Sequence, residues 1–275
     1  MAKAKQPTRL HEANPPFGWG VEDGVATLTL DRPDKLNALT FEVYAALARR
    51  LRELRDEPAV KALVVTGRGR GFCSGGDVDG IIGALLEADA REVLEFTRLT
   101  GEVVENLRRL DKPVIAAVNG VAAGAGAVIA LACDLRVMAE GAKFAFLFTK
   151  VGLTGADMGA AWLLPRAIGL SRATEMLFLG DAVDAAACLA AGLVHRVVPA
   201  DAVLPEAQAI AKRLASGPSL ALSMTKRLLN HESSMDLASA IEVEAVAQAY
   251  LLRAHDHRAF YEAHKAGHPP AFEGR

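Results

Sequence analysis

Residues 113–127 have the sequence Pro-Val-Ile-Ala-Ala-Val-Asn-Gly-Val-Ala-Ala-Gly-Ala-Gly-Ala. The continuously apolar run 113–118 predicts a strand buried on both faces, and Asn119-Gly120 closes it. The small residues that follow open a predicted helix from Gly124 to Cys133. A buried strand that leads through glycines into a helix is typical of a parallel α/β layer.

The segments on either side extend this α/β pattern. Val25–Leu30 alternates as a half-buried strand does, whereas 62–66 and 135–138 are short, continuously apolar runs. Residues 41–55 carry an apolar stripe at helical spacing, and Thr40 is placed to be the N-cap of that helix. Strands that alternate with helices predict an α/β fold with mainly parallel strands.

Beyond residue 155 the strand pattern fades and helices dominate. The predicted helices are 160–168, 171–179, 185–191, 201–216, 219–230 and 234–261. We therefore predict a flexible N-terminal arm at residues 1–17, an α/β core at 18–200 and a helical C-terminal region at 201–275.

Composition narrows the range of functions. The chain has 275 residues and a formal net charge of −2, which argues against nucleic acid or an anionic membrane as the main partner. Cys73, Cys133 and Cys188 are odd in number and far apart, so neither a disulfide framework nor a metal site is expected. Neither a secretory signal nor a membrane-spanning run is evident, which predicts a cytoplasmic protein.

Two glycine-rich turns could carry chemistry. The first, Thr66-Gly-Arg-Gly-Arg-Gly-Phe-Cys-Ser-Gly-Gly-Asp77, follows a buried strand, where exposed backbone N–H groups commonly meet ligands. From its glycines alone, a ligand site and an ordinary surface loop are equally supported. The second, 119–127, opens a helix whose free N–H groups favour negative charge. For that segment alone, close helix packing through small residues is the favoured interpretation.

Asp157 is the third candidate, because it lies among small and apolar residues just before a predicted helix. Burial there would raise its pKa toward a range that is useful for proton transfer. The alternative is an N-cap, a position that favours aspartate, and local sequence favours this capping role.

Taken together and in order, six segments resemble the crotonase family, the enoyl-CoA hydratase/isomerase superfamily. They are 32–39 (Arg-Pro-Asp-Lys-Leu-Asn-Ala-Leu), 71–77 (Gly-Phe-Cys-Ser-Gly-Gly-Asp), 112–120 (Lys-Pro-Val-Ile-Ala-Ala-Val-Asn-Gly), 132–134 (Ala-Cys-Asp), 162–166 (Trp-Leu-Leu-Pro-Arg) and 190–194 (Ala-Ala-Gly-Leu-Val). The resemblance implies a spiral of ββα turns followed by a trimerisation region at 201–275. It also implies a homotrimer or a dimer of trimers, an acyl-CoA thioester substrate, and no cofactor or metal beyond the substrate's own coenzyme A.

By the same resemblance, the backbone N–H groups of Gly76 and Ala125 would form an oxyanion hole for a thioester enolate. Such donors are worth roughly 3–4 kcal/mol of transition-state stabilisation each. The implied substrate-binding residues are Lys35, Leu36, Ala38, Ser74, Asp77, Val78 and Gly124.

The departures from the family decide the predicted reaction. Family hydratases carry two catalytic glutamates, and the matching positions here are Val128 and Leu147-Phe148. Asp157 instead matches the single aspartate of isomerase-type members. We therefore predict enoyl-CoA double-bond isomerisation with Asp157 as the proton shuttle. The alternatives are hydration directed by Asp157, a catalytically silent acyl-CoA-binding subunit, and an unrelated α/β protein whose glycines are only turns.

Overall fold

A six-stranded sheet is the main element of the computed structural model, which describes residues 16–275. The strand order is β1-β2-β3-β5-β7-β10, and every neighbouring pair is parallel except β1 with β2. The strands of this sheet are β1 Phe17–Glu22, β2 Val25–Leu30, β3 Ala62–Gly67, β5 Val114–Val118, β7 Leu135–Ala139 and β10 Arg196–Val198.

A second sheet of four short strands lies beside the first, in the order β4-β6-β8-β9. Its strands are β4 Gly71–Cys73, β6 Val121–Ala123, β8 Lys143–Ala145 and β9 Val183–Asp184. The strands β4, β6 and β8 each follow a strand of the large sheet within a few residues, and helices follow β4 and β6. The α/β fold with repeated ββα turns is thus confirmed.

The helices cover the sheets and form the C-terminal region. They are α1 Phe41–Glu53, α2 Gly83–Glu87, α3 Ala90–Arg109, α4 Ala125–Ala132, α5 Ala160–Ile168, α6 Leu170–Leu179, α7 Ala185–Ala190, α8 Val203–Ala215, α9 Ser219–His231, α10 Leu237–Leu251 and α11 His255–Ala266. The predicted cap of α1 is confirmed, because the Thr40 side chain accepts a hydrogen bond from the Val43 N–H.

Two predicted boundaries are wrong. The single helix predicted for 234–261 is two helices, because the chain turns at 252–254 between α10 and α11. The predicted arm at 1–17 is too long, since Phe17 begins β1 and packs into the core with 4% of its surface exposed. The rest of that arm, up to residue 15, lies outside the described residues.

An ion pair with a buried lysine attaches helix α9 to the α/β body. Lys226 of α9 lies 2.7 Å from the Asp134 carboxylate and donates to the carbonyls of Leu107 and Lys112. The following helix, α10, has no buried residue. Among residues 16–275, no helix is long and apolar enough to cross a bilayer.

Candidate active site

The first glycine-rich turn is held by the segment that precedes α1. The Leu39 N–H donates to the Gly75 carbonyl and the Leu39 carbonyl accepts from the Asp77 N–H, both at 2.8 Å. This bridge turns the flanking groups toward Leu39, so the intervening N–H of Gly76 points the other way.

The second turn lies directly against the first. Gly75 has a φ of 103°, and a Cβ atom there would lie 3.6 Å from the Ala125 nitrogen and 3.1 Å from the Ala123 carbonyl oxygen. Ala125 is the first residue of α4, so its N–H has no acceptor within the helix. Across residues 16–275, neither the Gly76 nor the Ala125 N–H donates to a protein acceptor. Two free N–H groups on adjoining turns are suited to holding an oxygen that gains negative charge.

The predicted substrate-binding residues of 35–38 and 74–78 form one continuous edge. Ser74 joins the two segments, since its N–H donates to the Leu36 carbonyl at 2.9 Å and its hydroxyl to the Lys35 carbonyl at 3.2 Å. Lys35 is exposed, as is Val78 with 66% of its surface accessible. Both side chains can therefore meet a ligand from solvent, although Lys35 lies 3.9 Å from the exposed Asp79 carboxylate.

The Asp77 carboxylate is already engaged. It accepts from the Gly80 N–H and pairs with Arg32 at 2.9 Å, and these two contacts lower its pKa. Arg32 also donates to the carbonyl of Ala38 at 2.7 Å. Asp77 therefore fixes the edge through Arg32 and is a poor candidate for proton transfer.

Sequence reasoning missed Asn37, which organises the same edge. It is 1% exposed, has a φ of 58°, and its amide donates to the Gly71 carbonyl at 2.8 Å and the Arg68 carbonyl at 3.0 Å. An asparagine between two apolar residues, Leu36 and Ala38, is the signal that could have identified it, because a buried amide requires several partners.

Asp157 does not cap a helix. Helix α5 begins at Ala160 with Gly159 as its N-cap, and the Asp157 carboxylate accepts only from the adjacent Met158 N–H at 2.9 Å. Met158 has a φ of 50°, a left-handed conformation that costs a non-glycine residue on the order of 1 kcal/mol. This strained turn leaves the carboxylate half-buried, without a salt bridge inside the described chain.

Burial raises the pKa of Asp157, and the Met158 N–H offsets the shift in part. A carboxylate with a raised pKa is a stronger base and a more competent proton carrier near neutral pH. Asp157 and Cys73, which lies two residues before Gly75, both act electrostatically on Tyr44. Tyr44 is buried, and its pKa is raised by burial, by the Cys73 thiol and by the Asp157 carboxylate.

Apolar side chains occupy the two positions where glutamates were sought. Val128 is fully buried in α4, and Phe148 is 7% exposed. Leu147 lies beside the second turn, where a Cβ atom on Gly124 would be 4.0 Å from its Cδ1. The thiol of Cys73 offers no substitute, because burial raises its pKa to about 12.

Comparison with known proteins places this geometry in a family. Residues 20–275 match the family described as enoyl-CoA hydratase/isomerase. The 1,2-epoxyphenylacetyl-CoA isomerase of Escherichia coli strain K12 is 36% identical over 255 residues, which cover 93% of this chain and 97% of the relative. The crotonyl-CoA hydratase of Syntrophomonas wolfei is 34% identical over 250 residues, covering 89% and 94%.

A solved structure agrees over the whole chain. It comes from Streptomyces coelicolor A3(2), is described provisionally as an enoyl-CoA hydratase, and superposes with a TM-score of 0.94 at 51% identity. The match covers 100% of this chain and 98% of the other. The ordered motifs, the paired ββα turns and these similarities together establish that the chain belongs to the enoyl-CoA hydratase/isomerase family.

Proposed function

We propose that the protein isomerises the double bond of an enoyl-CoA thioester, with Asp157 as its single proton carrier. The observation that carries this proposal is the pairing of two free N–H groups, on Gly76 and Ala125, with one unpaired carboxylate of raised pKa. The apolar side chains at Val128 and Leu147 support isomerisation over hydration, because neither position supplies a second carboxylate to hold an attacking water.

The reaction needs no group from outside the chain. Asp157 removes a proton from C2 of a 3-enoyl-CoA, and the electron pair of that C–H bond delocalises onto the thioester oxygen. The Gly76 and Ala125 N–H groups hold the resulting dienolate oxygen. Protonated Asp157 then returns the proton to C4, which leaves the double bond between C2 and C3.

The relatives by themselves do not separate the two reactions, since one is named an isomerase and another a hydratase. The purified protein should convert 3-hexenoyl-CoA into the conjugated 2-enoyl thioester, which is measured as a gain in the absorbance of the conjugated enoyl thioester. Loss of that absorbance from crotonyl-CoA, at a comparable or greater rate, would instead establish hydration. Binding of both thioesters in a calorimeter without any turnover would identify a silent acyl-CoA-binding subunit.

We also propose that the chain assembles as a homotrimer or a dimer of trimers through its C-terminal helices. Helix α10 supports this, because none of its residues is buried although several are large and apolar. Leu237, Ile241, Val246 and Tyr250 each expose more than half of their surface. Apolar surface on this scale is usually covered by a partner, and a second copy of the chain is the occupant we propose.

A further inference from the structure

Tyr44 is a buried tyrosine whose hydroxyl the fold does not use. Only 2% of its surface is exposed, and its ring packs edge-on against Phe96 with the centroids 5.6 Å apart. In the described part of the chain, its hydroxyl has no hydrogen-bond partner. Buried tyrosine hydroxyls usually find a partner, so this one requires an explanation.

The hydroxyl is not fully sealed in the core. Across residues 16–275, the fully enclosed side-chain polar atoms that lack a partner are Arg108 Nε and Glu232 Oε1. Tyr44 Oη is not among them, although it too lacks a partner. A polar atom that is neither paired nor fully enclosed can be reached by a water-sized group.

The backbone places Tyr44 next to the turn that contains Gly76. Leu39, which bridges that turn, is followed by the Thr40 cap of α1, and the Tyr44 N–H donates to the Thr40 carbonyl at 3.0 Å. Tyr44 is thus one helical turn beyond the bridge and on the buried face of α1.

Helix α3 connects Tyr44 to the Asp157 turn. Its Phe96 contacts Tyr44, and its Val104 lies against Gly159, where a Cβ atom would be 3.9 Å from Val104 Cγ1. These two α3 residues are separated by about 12 Å along the helix axis, as eight residues of α-helix require. Tyr44 and the Asp157 turn therefore both pack against α3, about two helical turns apart. Burial, Cys73 and Asp157 keep the pKa of Tyr44 high, so the hydroxyl remains a donor near neutral pH.

We propose that the Tyr44 hydroxyl donates a hydrogen bond to an oxygen atom of the acyl group, so that the preferred thioester carries a hydroxyl, keto or epoxide oxygen. This proposal rests on the acyl-CoA function proposed above. A hydrocarbon acyl chain would cover the hydroxyl without pairing it, which disfavours binding. The rings of Phe41 and Phe96, 4.8 Å apart at an edge-to-face angle, supply the adjoining apolar wall.

The test measures binding, so it does not depend on turnover. Calorimetry on the Asp157→Asn protein compares butyryl-CoA with 3-hydroxybutyryl-CoA and 4-hydroxybutyryl-CoA. The same titrations are repeated with Tyr44→Phe added, a change that removes one oxygen and keeps the ring against Phe96. Tyr261→Phe is the matched control, because that tyrosine is 54% exposed on α11.

We expect at least one hydroxyacyl thioester to bind about 3- to 10-fold more tightly than butyryl-CoA, the usual net effect of one hydrogen bond. Tyr44→Phe should abolish this preference, and Tyr261→Phe should preserve it. The proposal is overturned if butyryl-CoA binds but no hydroxyl preference exists, or if the preference survives Tyr44→Phe. Failure of all three thioesters to bind would overturn the acyl-CoA function as well.

Discussion

Gly126 of α4 packs directly onto the backbone of Cys73 in β4, with no room for a methyl group between them. A Cβ atom on Gly126 would overlap the Cys73 carbonyl oxygen and lie 2.6 Å from the Cys73 Cβ. This contact fixes the start of α4, and with it Ala125, against the strand that leads into Gly75 and Gly76. The relative position of the two N–H donors thus depends on a glycine that is not itself a donor.

Gly126→Ala should therefore damage the site and the fold together. Forcing a methyl group into this contact should destabilise the protein by about 1–3 kcal/mol, as overpacking of a core does. It should also lower kcat through displacement of the Ala125 N–H. Chemical denaturation and steady-state kinetics measure the two effects. Gly101→Ala is the control, because α3 offers that Cβ open space and the change should stabilise by up to about 1 kcal/mol.

Asp157→Asn should stabilise the protein at neutral pH. Burial raises the pKa of Asp157 in the folded state, whereas unfolding returns it to its ordinary value. The folded state therefore binds this proton more tightly, so the contribution of Asp157 to stability is greatest in acid and is lost as pH rises through the raised pKa. The Asn variant avoids that loss. Its Tm should exceed that of wild type near neutrality, and the difference should disappear in acid.

The exposed Asp201 supplies the control for this stability measurement. Asp201→Asn should leave the Tm near that of wild type at both pH values. A neutral-pH Tm for Asp157→Asn equal to or below that of wild type would mean that the ionised Asp157 carboxylate does not destabilise the folded protein.

The same pKa sets the pH dependence of the rate. The reaction begins with ionised Asp157, so kcat/KM for a 3-enoyl-CoA should fall as the pH is lowered through the raised pKa of the carboxyl. The apparent pKa from a pH–rate profile should lie above the ordinary value for aspartate. A profile that is flat down to the ordinary aspartate range would exclude a buried Asp157 as the base.

Arg32→Ala should impair catalysis without touching either donor. Arg32 ties the Ala38 carbonyl to the Asp77 carboxylate, so its loss should loosen the edge that supports Gly76. We expect kcat/KM to fall by about 10-fold, less than the roughly 100-fold that a 1 Å misplacement can cost. Arg49→Ala, on α1, removes an exposed arginine paired with Glu53 at 3.9 Å and should change the rate little. Equal rates for both variants would remove Arg32 from this role.

Val246→Asp should weaken assembly. Val246 exposes 64% of its surface on α10, and a charge buried in a subunit interface is strongly unfavourable. Sedimentation equilibrium of the wild type should give three or six times the chain mass of 29.0 kDa, and the variant should dissociate toward that mass. Val21→Asp introduces the same charge on exposed β1 and should preserve the wild-type mass. A monomeric wild type would refute the proposed assembly.

The inner strands β2, β3, β5 and β7 of the large sheet could be predicted from their apolar patterns, whereas its edge strands β1 and β10 were not predicted. Runs such as 62–66 and 113–118 are too short and too uniformly apolar to be amphipathic helices, and a glycine lies just after each run. The short strands β4, β6 and β8 were not predicted, because three residues contain too little of a period to distinguish them from a turn. The break between α10 and α11 was missed for a different reason: residues 252–254, Leu-Arg-Ala, all favour helix.

The candidate site could be predicted where small residues mark turns with exposed backbone N–H groups, and less well where side chains carry the chemistry. Glycines marked the turns of Gly76 and Ala125. For Asp157, the sequence favoured capping, because a left-handed Met158 cannot be foreseen from local propensity. Tyr44 lies in the apolar stripe of α1, where nothing in the sequence distinguishes a core ring from one whose hydroxyl faces a ligand.

The rate of 3-hexenoyl-CoA isomerisation by Asp157→Asn shows whether Asp157 carries the proton. Asparagine keeps the shape of the side chain and its contact with the Met158 N–H, so calorimetry should show thioester binding close to that of wild type. Loss of a positioned general acid–base should lower kcat by about 100- to 10,000-fold. An Asp157→Asn protein that isomerises 3-hexenoyl-CoA at the wild-type rate would exclude Asp157 from proton transfer.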